Sequence, residues 1–419
     1  MAIIRNYFPV HIYIKIVNFK GLILSYITIP IQIIFLIFIR LATPFLTIRI
    51  GWIESTRIGH MAANTEINLL IDEFNTNLTV KKPTFTVYCT TQYYICNLQL
   101  MKMWRRRLLV LPRWLLGFTA KWNLMLPNGE IHHIDPLHTD RDVNNFLDKT
   151  EANLKFTDAE MKKGASILNK MGIPIDSKYV CLIVRDASYL KHYYRSSDWN
   201  YHNFRDANIQ NFILAAEALA EHGYYVLRMG AKVKEPIQSN HPMVIDYATS
   251  PHRSEFMDIY LGAHCFFCIS TGTGFDAIPY IFRRPIAYAG YVPIGLLFTF
   301  SKKFLSVTKH HLDSITGKEL SLKEILSSNV SYSTDEKIFK KNNITLVDNS
   351  PDEIKNLALE MLEMIERDFI SKSDKDGMQE DFWRIYNEFL ISTHGKQDHG
   401  ILMSKYSESF LSNNDWWLR

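Results

Sequence analysis

This 419-residue chain predicts an α/β protein of two Rossmann-like domains behind an N-terminal apolar membrane-associating segment. Three observations carry that expectation. Short apolar runs alternate with stretches of helical spacing from Leu46 onward. The run Cys265-Phe-Phe-Cys-Ile-Ser-Thr-Gly-Thr-Gly-Phe-Asp-Ala-Ile-Pro279 reads as a buried strand that breaks into a glycine turn and opens a helix. Gly21–Ile39 is a block of 19 consecutive uncharged, largely apolar residues. With 47% hydrophobic and 21% charged residues the chain is globular rather than disordered, and long enough for two cores.

The N-terminal block has the length of a bilayer span, but Pro30 sits in its middle. Lys15 and Lys20 precede it and Arg40 and Arg49 follow, so the charges set no orientation. Residues 1–41 are expected either to span the membrane or to lie in its interface, and a buried core helix is the plainer alternative. Residues 1–128 hold 14 Lys and Arg against 4 Asp and Glu, a surplus of 10, which leaves −6 of the overall +4 for the rest. A basic end of this kind suits an anionic membrane surface or nucleic acid. Trp104-Arg-Arg-Arg-Leu-Leu-Val-Leu-Pro-Arg-Trp-Leu-Leu-Gly117 interleaves cations with large apolar groups, as a headgroup-layer contact would, or else forms a solvated basic turn. No nucleic-acid motif accompanies the charge, so nucleic acid is not an expected partner.

A first domain over 45–172 is expected from the strand Leu46–Ile53, a loop to His60, the helix Met61–Phe74, the strand Thr84–Cys89, the helix Gln92–Met103 and the strand Arg107–Leu111. Phe156–Met171 is helical and Gly172-Ile-Pro174 ends it, which sets the boundary. The second domain, 175–366, alternates strands Tyr179–Val184, Tyr224–Leu227, Met243–Asp246, Cys265–Ile269 and Ile286–Ala289 with helices Asn208–Glu221 and Ser254–Ala263. Asp206 is placed to cap the first of those helices and Gly223 to end it. Strand Thr345–Val347 and helix Pro351–Ile365 close the domain, and residues 375–419 are expected to pack back on the first domain. The five cysteines fall mostly in apolar runs, which reads as buried reduced thiols, Cys265-x-x-Cys268 included.

Ligands of open parallel sheets bind beyond the carboxyl ends of the strands. In the second domain those positions are Arg185 and Asp186, Arg228, Asp246 with Tyr247, and Ser270, Thr271, Gly272, Thr273 and Gly274. The glycines allow close backbone approach and the hydroxyls and helix-start N–H groups favour an anion. Gly272, Gly274 and Ala277 satisfy G-x-G-x-x-G/A, but no Asp or Glu occurs between Asp276 and Asp313, so the ribose ligand of a dinucleotide fold is missing. No Gly-Lys-Ser/Thr follows either, which excludes a P-loop. Arg185 and Arg228 are candidates to hold a diphosphate, or to pair with Asp186 and Asp246 as structural ions. The insertion Ala187–Arg205 is crowded with Tyr, His, Arg and Trp, side chains that stack on sugars and bases.

Val184-Arg-Asp186, the aromatic loop, Asn203-Phe-Arg-Asp-Ala-Asn-Ile-Gln-Asn-Phe212, Val226-Leu-Arg-Met-Gly230, Ser270-Thr-Gly-Thr-Gly-Phe-Asp276 and Phe410-Leu-Ser-Asn-Asn-Asp-Trp-Trp-Leu418 together resemble a family of bacterial glycosyltransferases encoded among surface-polysaccharide genes. More distantly, the second domain is similar to GT-B glycosyltransferases, fucosyltransferase-like ones included. The resemblance implies a nucleotide-sugar donor held by the second domain, with an arginine after its first strand on the diphosphate, and a lipid-linked or glycan acceptor held by the first near the cytoplasmic face of the inner membrane. Thr271 and Thr273 stand where many retaining members carry an acid, which points to inversion. No cofactor and no metal are expected, since cationic side chains and helix termini can stabilise the leaving diphosphate. His60, in the first β-α loop, is the implied general base, with Asp186 as the other candidate.

Overall fold

The computed structural model describes residues 9–79, 82–134, 140–193, 200–369, 377–393 and 395–419. The chain divides into two compact units, Met1–Asp140 with Ala152–Phe156, and Arg141–Glu151 with Thr157–Arg419. This division differs from the boundary expected at 172–174. The helix Asp158–Lys170 belongs to the second unit, where Gly164 lies against the Tyr260 ring so closely that a Cβ would overlap it. Thr157 starts that helix with a capping box, its hydroxyl accepting from Glu160 N–H and the Glu160 carboxylate from Thr157 N–H. A glycine needed for packing and a capped start, rather than the later Gly-Ile-Pro, mark the junction.

In the first unit β1 (Thr47–Ile53) and β2 (Thr84–Thr90) pair in parallel, Ile50 opposite Val87. Single parallel bridges extend the pair on either side, Ile50 with His133 and Tyr88 with Val110. The expected strand Arg107–Leu111 is therefore one bridge, because Arg107 still belongs to the helix Leu98–Arg107, which starts later than the expected Gln92. The helical stretch after β1 contains a π-helical turn, His60–Asn64, before Thr65–Thr79 continues as α-helix. Among the described residues this sheet is smaller than the full Rossmann-like domain expected. Its core is formed by Ile39, Ile48, Ile50, Val87, Cys89, Leu116 and Ala120.

The basic-aromatic cluster splits between core and surface. Trp104 is fully buried, its indole N–H donating to Met61 O at 3.0 Å, while Arg105, Arg106 and Arg107 stay exposed. Arg113 lies over the Trp52 and Tyr93 rings and donates to Thr90 O at 2.7 Å. Trp104 thus corrects the expectation of a headgroup contact: helical spacing turns it inward while the arginines face out.

The second unit is built on seven parallel strands: β3 (Tyr179–Ile183), β4 (Tyr225–Arg228), β5 (Val244–Ile245), β6 (Cys268–Ser270), β7 (Ile286–Tyr288), β8 (Phe304–Ser306) and β11 (Lys405–Tyr406). Their order is β11-β8-β7-β6-β3-β4-β5. The five strands expected between 179 and 289 all lie in this sheet, and every residue of β3 is buried, as in a parallel sheet covered on both faces. β8 and β11 escaped the sequence reading. The expected strand Thr345–Val347 falls elsewhere: β10 (Ile344–Val347) pairs antiparallel with β9 (His310–Asp313). Residues 378–419 belong to this second unit, with Trp417 fully buried and stacked on Tyr406.

At the start of β9, His310 Nδ1 lies 2.5 Å from Glu319 Oε1 and Nε2 3.0 Å from Glu353 Oε2. The hydrogen bonds to Glu319 and then Glu353 push its pKa up to about 10, from an ordinary 6.5. A raised pKa means that the pair's stabilisation is complete below the unfolded value near 6.5 and disappears as pH rises through about 10. Thermal melting of wild type and His310→Gln should therefore differ most at pH 6 and converge toward pH 10. A pH-independent gap would show that the imidazolium contributes nothing.

Candidate functional site

The strand order reverses between β3 and β6, so the carboxyl ends of these two neighbours flank a switch-point crevice. Register brings Leu182 beside Ile269 and Ile183 beside Ser270, which sets Arg185 next to the Ser270–Gly274 loop. Arg185 N–H donates to Thr271 Oγ1 at 2.9 Å, and its guanidinium Nε to Asp206 Oδ1 at 3.1 Å. Asp206, expected as a helix cap, is instead this ion-pair partner. The cap falls to Asn208, which accepts from Gln210 N–H at 3.0 Å and starts a short 3-10 turn ahead of the helix Ile213–Glu221.

The loop holds itself in shape. The Ser270 hydroxyl donates to Asp276 Oδ2 at 2.8 Å and accepts from Gly272 N–H at 3.0 Å, and Thr273 N–H donates to the same Asp276 oxygen at 2.8 Å. Gly272 takes φ +76°, with the Tyr291 ring 3.0 Å from where a Cβ would stand, so glycine is required there on both grounds. Gly274 is exposed. The helix that follows is only Ala277–Ile281, and buried Asp276 already places a carboxylate at its start. The expected anion attraction of a helix terminus is therefore small, and the hydroxyls of Ser270, Thr271 and Thr273 serve the loop's own geometry.

Positive charge comes from a residue the sequence reading did not single out. Arg205 donates from Nη2 to Gly272 O at 2.6 Å. Among the described residues no carboxylate pairs with it, and its Nε is buried without a hydrogen-bond partner. Burial and, next, the charge of this neighbouring Arg205 lower the pKa of Arg185. Arg185 thus has Asp206 as its carboxylate, and Arg205 stands beside it with none among the described residues, while Asp276, the loop's own carboxylate, is taken up by the Ser270 hydroxyl and Thr273 N–H. Lys309, 5% exposed, stands close by, paired with Asp348 at 2.7 Å and donating to Asp206 O. Arg205 closes the aromatic insertion, and only its tertiary placement distinguishes it from any other loop arginine.

Arg228 takes the structural alternative. It is 1% exposed, with Nη1 3.6 Å from Asp246 Oδ1 and Nη2 3.9 Å from Asp186 Oδ2. Burial lowers its pKa, and the two carboxylates oppose that effect. The Asp186 oxygens also accept backbone N–H groups, Oδ1 from Ser188 at 2.8 Å and Oδ2 from Lys234 at 2.9 Å. Asp186 is thus held by Arg228 and by two backbone N–H groups, one of them at the start of the helix Ser188–Tyr193.

Of the insertion 187–205, positions 194–199 lie outside the described residues. On either side of them, Tyr189 and Tyr193 pack with ring centroids 4.5 Å apart, and Tyr201 and His202 at 3.9 Å. His60, in the first unit, is half-buried, with Nδ1 3.4 Å from Asn64 Oδ1. Burial tends to raise the pKa of nearby Glu54, but the Thr56 hydroxyl and amide, Thr91 and the charge of His60 together lower it.

The sequence also holds two Asp-x-Asp triplets, a pattern that can ligate metal and that the metal-free expectation overlooked: Asp140-Arg141-Asp142 and Asp374-Lys375-Asp376. Asp142 is buried and accepts Leu147 N–H at 2.7 Å, and burial raises its pKa. The second triplet lies outside the described residues. Among the described residues no three His, Cys, Asp or Glu side chains gather as a metal site. Cys181, Cys265 and Cys268 are free and buried, and burial holds the Cys181 and Cys268 thiols well above their ordinary pKa. Such thiols are poor ligands and poor nucleophiles.

No family model matches the chain, and no curated protein matches it. Among solved structures, it is similar to the ADP-heptose lps heptosyltransferase II of E. coli, at 11% identity and TM-score 0.40, over 76% of this chain and 99% of that one. It is also similar to a glycosyl transferase family 9 structure from Veillonella parvula DSM 2008, at 12% identity and TM-score 0.43, over 75% and 97%. A third is the iron-containing dodecameric glycosyltransferase TibC from enterotoxigenic E. coli H10407, at 12% identity and TM-score 0.36, over 76% and 79%.

Proposed function

We propose that the chain is a glycosyltransferase that takes its sugar from a nucleotide-diphosphate donor. One observation carries the reading: Arg205 donates to Gly272 O beside Arg185 at the sheet's switch point, and among the described residues no carboxylate pairs with Arg205. A diphosphate would give Arg205 an anionic partner and suits the planar donor fork of arginine. As the glycosidic bond to the donor breaks, charge builds on the departing diphosphate. Guanidiniums already held in place stabilise that charge without reorganising, in the role a metal would otherwise fill. Tyr189, Tyr193 and Tyr201 are the proposed stacking surface for the nucleotide or sugar.

The acceptor we propose is a lipid-linked or polysaccharide hydroxyl, with transfer by inversion at the cytoplasmic face of the inner membrane. His60 is the proposed base, because Asp186 is engaged in the fold. Donor binding tests the reading. A panel of sugar nucleotides should contain at least one that raises the melting temperature of the wild type. Arg205→Ala should bind that ligand ~10- to 100-fold more weakly, from the ~1.5–3 kcal/mol of a charged hydrogen bond. A panel without any stabilising sugar nucleotide, or an Arg205→Ala protein that binds like wild type, rules the proposal out. Donor hydrolysis with and without glycan acceptors then separates an enzyme from a binding protein of the same shape.

A further inference from the structure

The apolar N-terminal segment is not one helix. It folds as Val10–Ile27 and Ile29–Ala42, broken at Thr28, with Pro30 in the first turn of the second. Pro30 is tolerated there because first-turn N–H groups have no helical partner to lose. By length and composition Val10–Ile27 is long and apolar enough to cross a bilayer. Its side contacts argue otherwise.

Polar ties join both helices to the first unit along their length. Asn18 Oδ1 accepts from Tyr93 and Tyr94 N–H at 3.0 and 3.1 Å, and the Ser25 hydroxyl bonds the Tyr93 hydroxyl. The Thr28 hydroxyl donates to Trp114 O at 3.1 Å. Gln32 is fully buried, donating to Ser25 O at 2.7 Å and accepting Phe118 N–H at 3.2 Å. Arg40 donates to Asn123 Oδ1 at 3.3 Å, and Thr43 Oγ1 lies 3.1 Å from His132 Nε2. Gly21 lets the first helix press on the Tyr93 ring, where any Cβ would overlap it. A bilayer crossing would have to break these bonds or carry polar backbone of the unit into hydrocarbon, at several kcal/mol per unsatisfied group.

Among the described residues the opposite face has no such partners. Phe19, Ile23 and Ile27 stand four residues apart on the first helix, Ile34, Phe38 and Leu41 follow at three- and four-residue spacing on the second, and all six are exposed, Ile27 and Leu41 at 71%. Phe45, 81% exposed, continues the stripe, and Met125, 82% exposed, adds another large apolar side chain to the unit's surface. A stripe of this extent exceeds the scattered apolar residues of ordinary surfaces. Lys15, Lys20 and Lys121 are exposed, and no Asp or Glu precedes Glu54 in the chain.

We propose that this pair of helices is an in-plane docking face whose occupant is one leaflet of an anionic lipid bilayer, with the apolar stripe at the headgroup–acyl boundary and the lysines among the headgroups. The inference is independent of the sugar-nucleotide reading. The apolar stripe supplies insertion, the surplus of cations supplies lipid preference, and the lateral ties hold the first unit flat against the surface.

Flotation of the full-length protein with vesicles tests it. Binding should be strong with phosphatidylcholine–phosphatidylglycerol vesicles and weaker with phosphatidylcholine alone. Ile34→Glu/Leu41→Glu should abolish it while leaving the melting temperature near wild type, since both sites are exposed. Lys15→Gln/Lys20→Gln, which keeps the stripe, should weaken binding only to the anionic vesicles, by ~5-fold per lysine. An N-terminal epitope should remain open to protease added outside the vesicles; protection would mean that the first helix spans, and would overturn the in-plane geometry. Absence of vesicle binding, together with a stable soluble dimer dissociated by Ile34→Glu/Leu41→Glu, would make the occupant a second copy of this chain and overturn the proposal altogether.

Discussion

Arg228→Met is expected to destabilise the second unit by about 3–5 kcal/mol, the usual cost of removing one member of a buried ion pair. Met matches the length of the aliphatic stem, so packing changes little and the result isolates the charge. Without the guanidinium, Asp186 and Asp246 face each other across a site where Arg228 is 1% exposed. Adding Asp246→Asn should recover part of the loss, because the two positions are coupled. Urea unfolding followed by fluorescence measures both variants. The opposite pattern, unchanged stability with lost nucleotide-sugar binding, would return Arg228 to the ligand.

Trp104→Ala carries the other large effect, a loss of about 3–5 kcal/mol from the first unit through cavity formation. Trp104 is wholly enclosed, and the truncation also removes the bond its indole N–H donates to the Met61 carbonyl. Vesicle binding per folded molecule should not change. A stability close to wild type combined with weaker vesicle binding would restore Trp104 to the headgroup layer, where the Arg105–Arg107 neighbourhood suggests it from sequence. Calorimetry beside flotation separates the outcomes.

Much of the site's placement was legible before the structure, and the reasons are local. Parallel strands buried on both faces read as short apolar runs, so β3, β4, β5, β6 and β7 were found by pattern. Residues just past such strands must lie at one edge of the sheet, which brought Arg185 and Ser270–Gly274 together correctly. The pairing of charges was not legible. Asp206 was read as a cap from its position before a helix, whereas the guanidinium of Arg185 beside it takes its carboxylate. Arg205 carried no signal, since its proximity to Gly272 depends on the path of a loop of irregular shape.

Sequence alone determined that this is an α/β chain with a parallel sheet, a glycine turn after one of its inner strands, an apolar basic N-terminus and reduced cysteines. Each of these follows from periodicity, steric freedom or composition, which act over a few neighbouring residues. Tertiary structure alone decided that the N-terminal segment is two helices tied sideways to a helix and a loop of the first unit, that Trp104 is core, that Arg228 is an internal counter-ion and that Arg205 joins Arg185 at the loop. Those outcomes depend on which groups compete for the same partner in space. Burial sets the stakes of that competition, because an unpaired charge or N–H costs far more inside the protein than in water.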